Sequence, residues 1–229
     1  MSSVDQVIEQ LQALSRPDQL EGMARYGMTV EKRLGVSIPH LRKLAKGIGV
    51  DHGLALALWE TGIAEARIVA AMVDVPEEVT EAQMEDWVAG LDSWDVCDQL
   101  CMNLFDKTPL AWRKVREWSE REEEFVKRAA YALLACLAWH DKGATDEQFT
   151  ALIPLIVREA TDGRNYVKKA VSWALRHIGK RNARLNEIAL EAARQLQGMD
   201  DKTARWIGTD AVRDLTSDAT RKRLAKQGA

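Results

Sequence analysis

Apolar residues recur at three- and four-residue steps through nearly all of this sequence, and no region alternates apolar and polar residues in the way a half-buried strand requires. Such a chain buries its apolar surface by packing helix on helix, so the sequence predicts an all-α protein. The expected helices are Asp5–Leu14, Pro17–Tyr26, Ile38–Lys46, His52–Trp59, Ala64–Val73, Glu81–Leu91 and Asp95–Phe105, followed by Pro109–Ser119, Glu123–Ala138, Asp146–Ala160, Asn165–Lys180, Ala183–Gln197, Lys202–Ile207, Ala211–Leu215 and Asp218–Lys226. Pro17 and Pro109 suit first helical turns, Thr108 is placed to cap the helix after it, and Asp162-Gly163 and Gly198 mark separations.

Short connections between helices of this length make antiparallel neighbours, and from Glu65 to Gln197 the pairs follow one another at a spacing near that of HEAT units. An internal echo supports a repeat. FVKRAAYALL from Phe125 and YVKKAVSWAL from Tyr166 share an aromatic, Val, Lys, a basic residue and Ala, which puts Arg128 and Lys169 at matching points of two helices. In a solenoid matching helices line one wall, so the expected architecture is a superhelix of HEAT-like helix pairs with a concave basic face, a single domain over residues 1–229.

Charge is segregated. The net charge is -3, yet Ile68 to Asp106 holds ten acids and no Lys or Arg, while Gly163 to Asn186 holds seven Lys and Arg, one His and no acid. Such a pattern can bind a polyanion on one surface while the rest stays negative; it can also arise because acidic and basic helices pair with each other. In the basic stretch Trp173 has Lys169 four places before it, Arg176 three after, His177 four after and Lys180 seven after, so an indole is set among cations on neighbouring helical positions. That combination suits nucleic acid, which offers phosphates and rings together. The bland reading is a core Trp on a solvated helix.

The three cysteines, Cys97, Cys101 and Cys136, form no CxxC pair, which argues for reduced thiols rather than a disulfide framework or a zinc site. No apolar run approaches membrane-spanning length, and the polar start MSSVDQVIEQ has no signal region. A cytoplasmic protein with no membrane partner is expected.

The stretch from Asp92, DSWDVCDQLCMNLF, is the second distinctive one. Trp94 and Asp98 are four residues apart at a helix start, so the indole and the carboxylate project from one face. Asp92, Ser93 and Asp95 are placed to cap that end. Asp98 falls beyond them, among Val96, Leu100 and Cys101, where a carboxylate needs a cationic partner; Arg128 is the candidate.

At these residues the chain resembles the AlkD family of DNA alkylation repair glycosylases, whose fold is a superhelix of HEAT-like repeats. The matching stretches are GVSIPHLRKLAK, LWETGIAEAR, SWDVCDQL, FVKRAAYALL, NYVKKAVSWALR and ARWIGTDAVRDL, in order across most of the chain. The resemblance implies that Trp94 and Asp98 are the family's active-site Trp and Asp, that Trp173 is its second Trp, that Arg128 is its central Arg, and that Tyr26 is its N-terminal aromatic. It implies excision of N3- or N7-alkylated purines from double-stranded DNA by a monomeric, nucleoid-associated enzyme without a deep base-flipping pocket. Such bases carry a positive charge and leave without a general acid, so neither metal nor cofactor is expected. Departure builds cationic character on the deoxyribose, which Asp98 would stabilise while holding a water. Trp94 and Trp173 would pack on sugar and base, a cation-π contact being worth about 0.5 to 2 kcal/mol. Arg128, Lys169, Arg176 and Lys180 would hold flanking phosphates. The alternatives are a HEAT-repeat protein that grips DNA without cutting it, and a protein-interaction scaffold.

Overall fold

The computed structural model describes residues 2–227; Met1 and 228–229, the ends of the expected domain, lie outside the described residues. Among those residues the structure is helices and connections, with no strand. The helices are α1 (Val4–Ala13), α2 (Leu20–Arg25), α3 (Ile38–Ile48), α4 (His52–Glu60), α5 (Ala64–Val73), α6 (Glu81–Ala89), α7 (Trp94–Asn103), α8 (Ala111–Ser119) and α9 (Glu124–His140), then α10 (Asp146–Thr150), α11 (Ile153–Glu159), α12 (Asn165–Gly179), α13 (Ala183–Gly198), α14 (Lys202–Leu215) and α15 (Asp218–Gln227). Ser3, Asp51, Thr80, Thr145, Asn182 and Asp201 accept first-turn amides at helix starts, each such cap contributing about 1 kcal/mol.

Three expectations need correction. The stretch Asp146–Ala160 is two helices, because Pro154, in the first turn of α11, has no amide to continue the preceding helix. Conversely, Lys202–Ile207 and Ala211–Leu215 are one helix, α14. Its Gly208 does not break it: a Cβ there would lie 2.5 Å from the carbonyl oxygen of Ala193, so glycine is what lets α14 press against α13. Thr108 does not cap α8, which begins at Ala111; its hydroxyl donates to the Phe105 carbonyl at 2.9 Å.

Two compact units divide the chain, Met1–Ala111 and Trp112–Ala229. The first is organised on α5, which packs against α1, α3, α4 and α7. This explains its sequence, AEARIVAAMV: an element with neighbours on several sides is apolar nearly all round, and eight of its ten residues are buried. Buried Glu65 on α5 accepts the amides of Leu34, Gly35 and Val36 at 2.9, 2.7 and 3.2 Å, pinning the segment that leads into α3. Gly35 has φ +79° and a Cβ there would meet the Arg16 carbonyl oxygen at 2.3 Å, so only glycine fits.

In the second unit α12 packs against both α9 and α14, while α13 lies against α12 and α14. Contacts between α12 and α14 advance together along the two helices: Ser172 bonds Asp210 and, one turn on, Arg176 bonds Asp214, each 38 residues on. A constant separation means parallel helices in register, as in stacked repeats. The sequence echo is a physical contact as well, since its two leading aromatics, Phe125 and Tyr166, stack with ring centroids 5.4 Å apart.

Candidate nucleic-acid interface

Trp94 opens α7, and Asp98 follows one turn later on the same face; both are half-buried. The indole is oriented through its N–H, which donates to the Tyr26 carbonyl at 3.1 Å. Tyr26 itself ends α2 with its side chain 79% exposed. The structure therefore brings Tyr26 and Trp94 together through the tyrosine's backbone.

The residues expected to cap α7 do something else. Ser93 is the N-cap residue, but its side chain makes no capping bond; its hydroxyl donates to Asp95 at 2.5 Å. Asp95 is held by Arg33 through two bonds of 2.7 and 2.9 Å, and Arg33 also donates to the Thr29 carbonyl at 2.7 Å. The Thr29 hydroxyl donates to the Asp92 carbonyl at 2.7 Å. Residues 26–33 thus form a clasp over the start of α7, with the Arg33 side chain 3% exposed. Sequence reasoning missed Arg33. A charge pair across 62 residues leaves no local pattern, and the lone sign was an Asp next to the Trp that did more than a cap needs.

In the second unit Trp173 and His177 lie one turn apart on α12, their rings at right angles with centroids 5.7 Å apart. Lys169 is exposed on the same helix. Arg128 is only 5% exposed and its guanidinium donates to the Tyr166 carbonyl at 2.8 Å, so the two cations that the echo equates differ in burial. Arg176 and Lys180 are already engaged: Arg176 pairs with Asp210 and Asp214, both at 3.3 Å, and Lys180 pairs with Asp214. Part of the charge on the basic helix is thus answered by two acids of α14, a helix that itself carries Lys202, Arg205 and Arg213 and lies outside the acidic stretch Ile68 to Asp106. Asp214 is buried enough to disfavour its charge, but the hydrogen bond and charge of Lys180 and the charge of Arg176 prevail and hold its carboxyl below the ordinary range. His177 moves the other way, pushed down to about 4 by burial and by Lys180, Arg176 and Arg223, so its ring is neutral at neutral pH. Cys97, Cys101 and Cys136 are buried, consistent with small core residues.

Helices of this kind, in parallel register with matching aromatics stacked between repeats, define an all-α protein of HEAT-like repeats, and comparison agrees. A structure described as belonging to "a new family of proteins related to the HEAT-like repeat DNA glycosylases with affinity for branched DNA structures" superposes with a TM-score of 0.79, at 18% identity, over 97% of this chain and 96% of that one. A designed armadillo repeat protein in complex with the peptide (KR)4 aligns at a TM-score of 0.38 and 17% identity, over 100% of this chain and 89% of that one. A search of curated protein sequences returned no match. The family model described as "DNA alkylation repair enzyme" matches residues 7–215, and the chain belongs to that family. No helix among the described residues is long and apolar enough to cross a membrane.

Proposed function

We propose that the protein is a DNA glycosylase that hydrolyses the N-glycosidic bond of N3- or N7-alkylated purines in double-stranded DNA, acting as a monomer. The observation that carries this reading is the pairing of Trp94 and Asp98 on one face of α7, with the indole fixed by the Tyr26 carbonyl, in a chain of the DNA alkylation repair family. The C1′–N bond breaks with its electron pair going to the base, whose charge is thereby neutralised. Asp98 stabilises the cation left on the sugar and orients the water that attacks C1′; the water's proton passes through the carboxylate to solvent, leaving an abasic site with a C1′ hydroxyl. Trp94 and Trp173 pack against sugar and base. Lys169 and Arg128 contact phosphates, and Arg176 and Lys180 do so in exchange for their carboxylate partners Asp210 and Asp214.

A second reading is recognition of DNA structure without excision. It is favoured by the prior engagement of Arg176 and Lys180 with acids, and by the affinity for branched DNA described for the superposing relative. One experiment separates the two. Methylated duplex DNA is incubated with the protein and with Asp98→Asn, and free 3-methyladenine and 7-methylguanine are measured, while binding to a four-way junction and to linear duplex is compared. Release that depends on Asp98 supports the glycosylase. No release, with the junction bound more tightly than the duplex, overturns it in favour of the second reading.

A further inference from the structure

The second unit carries more rings at its surface than the excision chemistry uses. Beyond Trp173 and His177 the row continues onto the end of α9: the Trp139 indole stands 6.1 Å from the His177 ring at an interplanar angle of 71°, and His140 adjoins it at 4.7 Å. Trp139 is 42% exposed, the last turn of a helix whose preceding residues are almost all buried. A large aromatic this exposed at a helix end keeps part of its ring available to a partner.

Its surroundings are cationic. Lys142 donates to the Trp139 carbonyl at 2.5 Å, and Arg181 reaches the carbonyls of Ala138 and Ala144 at 3.3 and 2.7 Å, two positive charges at the negative end of α9. On the other side Arg176, Lys180 and Arg223 surround His177. The acids nearby are committed: Asp214 to those cations, and Asp141 to the Trp112 indole at 3.0 Å and the amides of Gly143 and Ala144. A partly exposed indole with Lys142 and Arg181 at its helix end, beside the negative charge of Asp141, suits a partner that brings a ring and a phosphate together. A base inside a paired duplex has both faces covered by its neighbours and offers this row only backbone. An unpaired base offers a face.

We propose that Trp139, with His177 behind it, is a stacking site for a nucleobase of DNA that has lost its pair. The proposal rests on the DNA-binding reading above. His177, neutral at physiological pH, serves as an aromatic wall between the two indoles rather than as a phosphate ligand.

The test uses two probes, a fully paired duplex and the same duplex carrying 2-aminopurine as a single-nucleotide bulge, with the full chain, Trp139→Ala and Trp139→Leu. The wild type is expected to bind the bulged probe more tightly and to quench its 2-aminopurine fluorescence by stacking. Both variants are expected to lose about 5- to 100-fold in affinity for the bulged probe, the range that one base–aromatic stack supplies, with no change on the paired duplex. Trp139→Leu retains apolar volume and guards against a folding artefact in Trp139→Ala. Equal losses on both probes, or wild-type binding with no preference and no quenching, overturn this inference and leave the DNA reading standing. A wild type that binds neither probe at low salt overturns both.

Discussion

Asp98 is where catalysis and structure make opposite predictions. If its charge stabilises a developing sugar cation, Asp98→Asn slows single-turnover excision by at least about 100-fold while affinity for undamaged DNA holds and the melting temperature stays near wild type. If instead it is one half of a buried ion pair, the variant loses about 3 to 5 kcal/mol of stability. Melting and excision measured on one preparation decide between them. His177 makes a different prediction, about pH. Its folded pKa, about 4, lies below the ordinary histidine value near 6.5, so the unfolded chain binds the extra proton first and stability falls as pH drops from about 6.5 to about 4, by up to about 3 kcal/mol. The groups around the ring are Lys180, Arg176, Arg223 and Asp214, with Trp173 and Trp139 as neighbours. The loss from Asp214 begins within the ordinary carboxylate range, where the unfolded chain takes up its proton, and continues below it, so it joins the histidine effect only at the acid end of that window. His177→Gln should flatten the dependence of melting temperature on pH between 4.5 and 7, and an unchanged slope would contradict it. That Trp94 and Asp98 share one face of α7 was legible in the sequence because one helical turn separates them. Arg33, bound to Asp95 across the fold, was not, since its role exists only after the chain has closed.

At the scale of elements, helices were legible wherever one face is apolar and the other polar, as in α12 and α13. The errors came from reading punctuation without its neighbours. Pro154 acted as covalent geometry dictates, yet the apolar pattern running through it suggested continuity. Gly208 looked like a terminator and is a packing surface. Gly208→Ala therefore tests the α13–α14 contact: with the Ala193 carbonyl oxygen at 2.5 Å from the added carbon, the helices must separate, at a cost of about 1 to 3 kcal/mol despite alanine's better helix propensity. A stabilised variant in thermal or urea unfolding would show that the helix interior, and not the contact, governs this position.

For the molecule as a whole, the repeat was legible through the echo of α9 in α12, whereas the parallel register of α12 and α14 emerges only from the contacts. We propose that the two compact units act as one domain, as the sequence suggested. Calorimetry should then show one transition whose calorimetric and van't Hoff enthalpies agree, and two separated transitions would refute it. The segregation of charge led to the expectation of a basic surface, but did not reveal that Asp210 and Asp214 would already occupy Arg176 and Lys180. These two carboxylates are in effect tethered counterions, standing where a phosphate would stand. A phosphate arriving at α12 exchanges with a resident anion and does not fill a vacancy, and tethered carboxylates, unlike condensed sodium on DNA, gain no mixing entropy when displaced. Affinity should consequently fall with salt less steeply than the number of basic residues on α12 suggests, at about 0.9 logarithmic units per phosphate contacted. In Asp210→Asn/Asp214→Asn the restraint is gone: binding to undamaged duplex should tighten and its salt dependence steepen, and no change in either would show that these cations never meet a phosphate. A protein that must search long stretches of intact DNA gains from such a brake, because it keeps the search from ending on ordinary backbone.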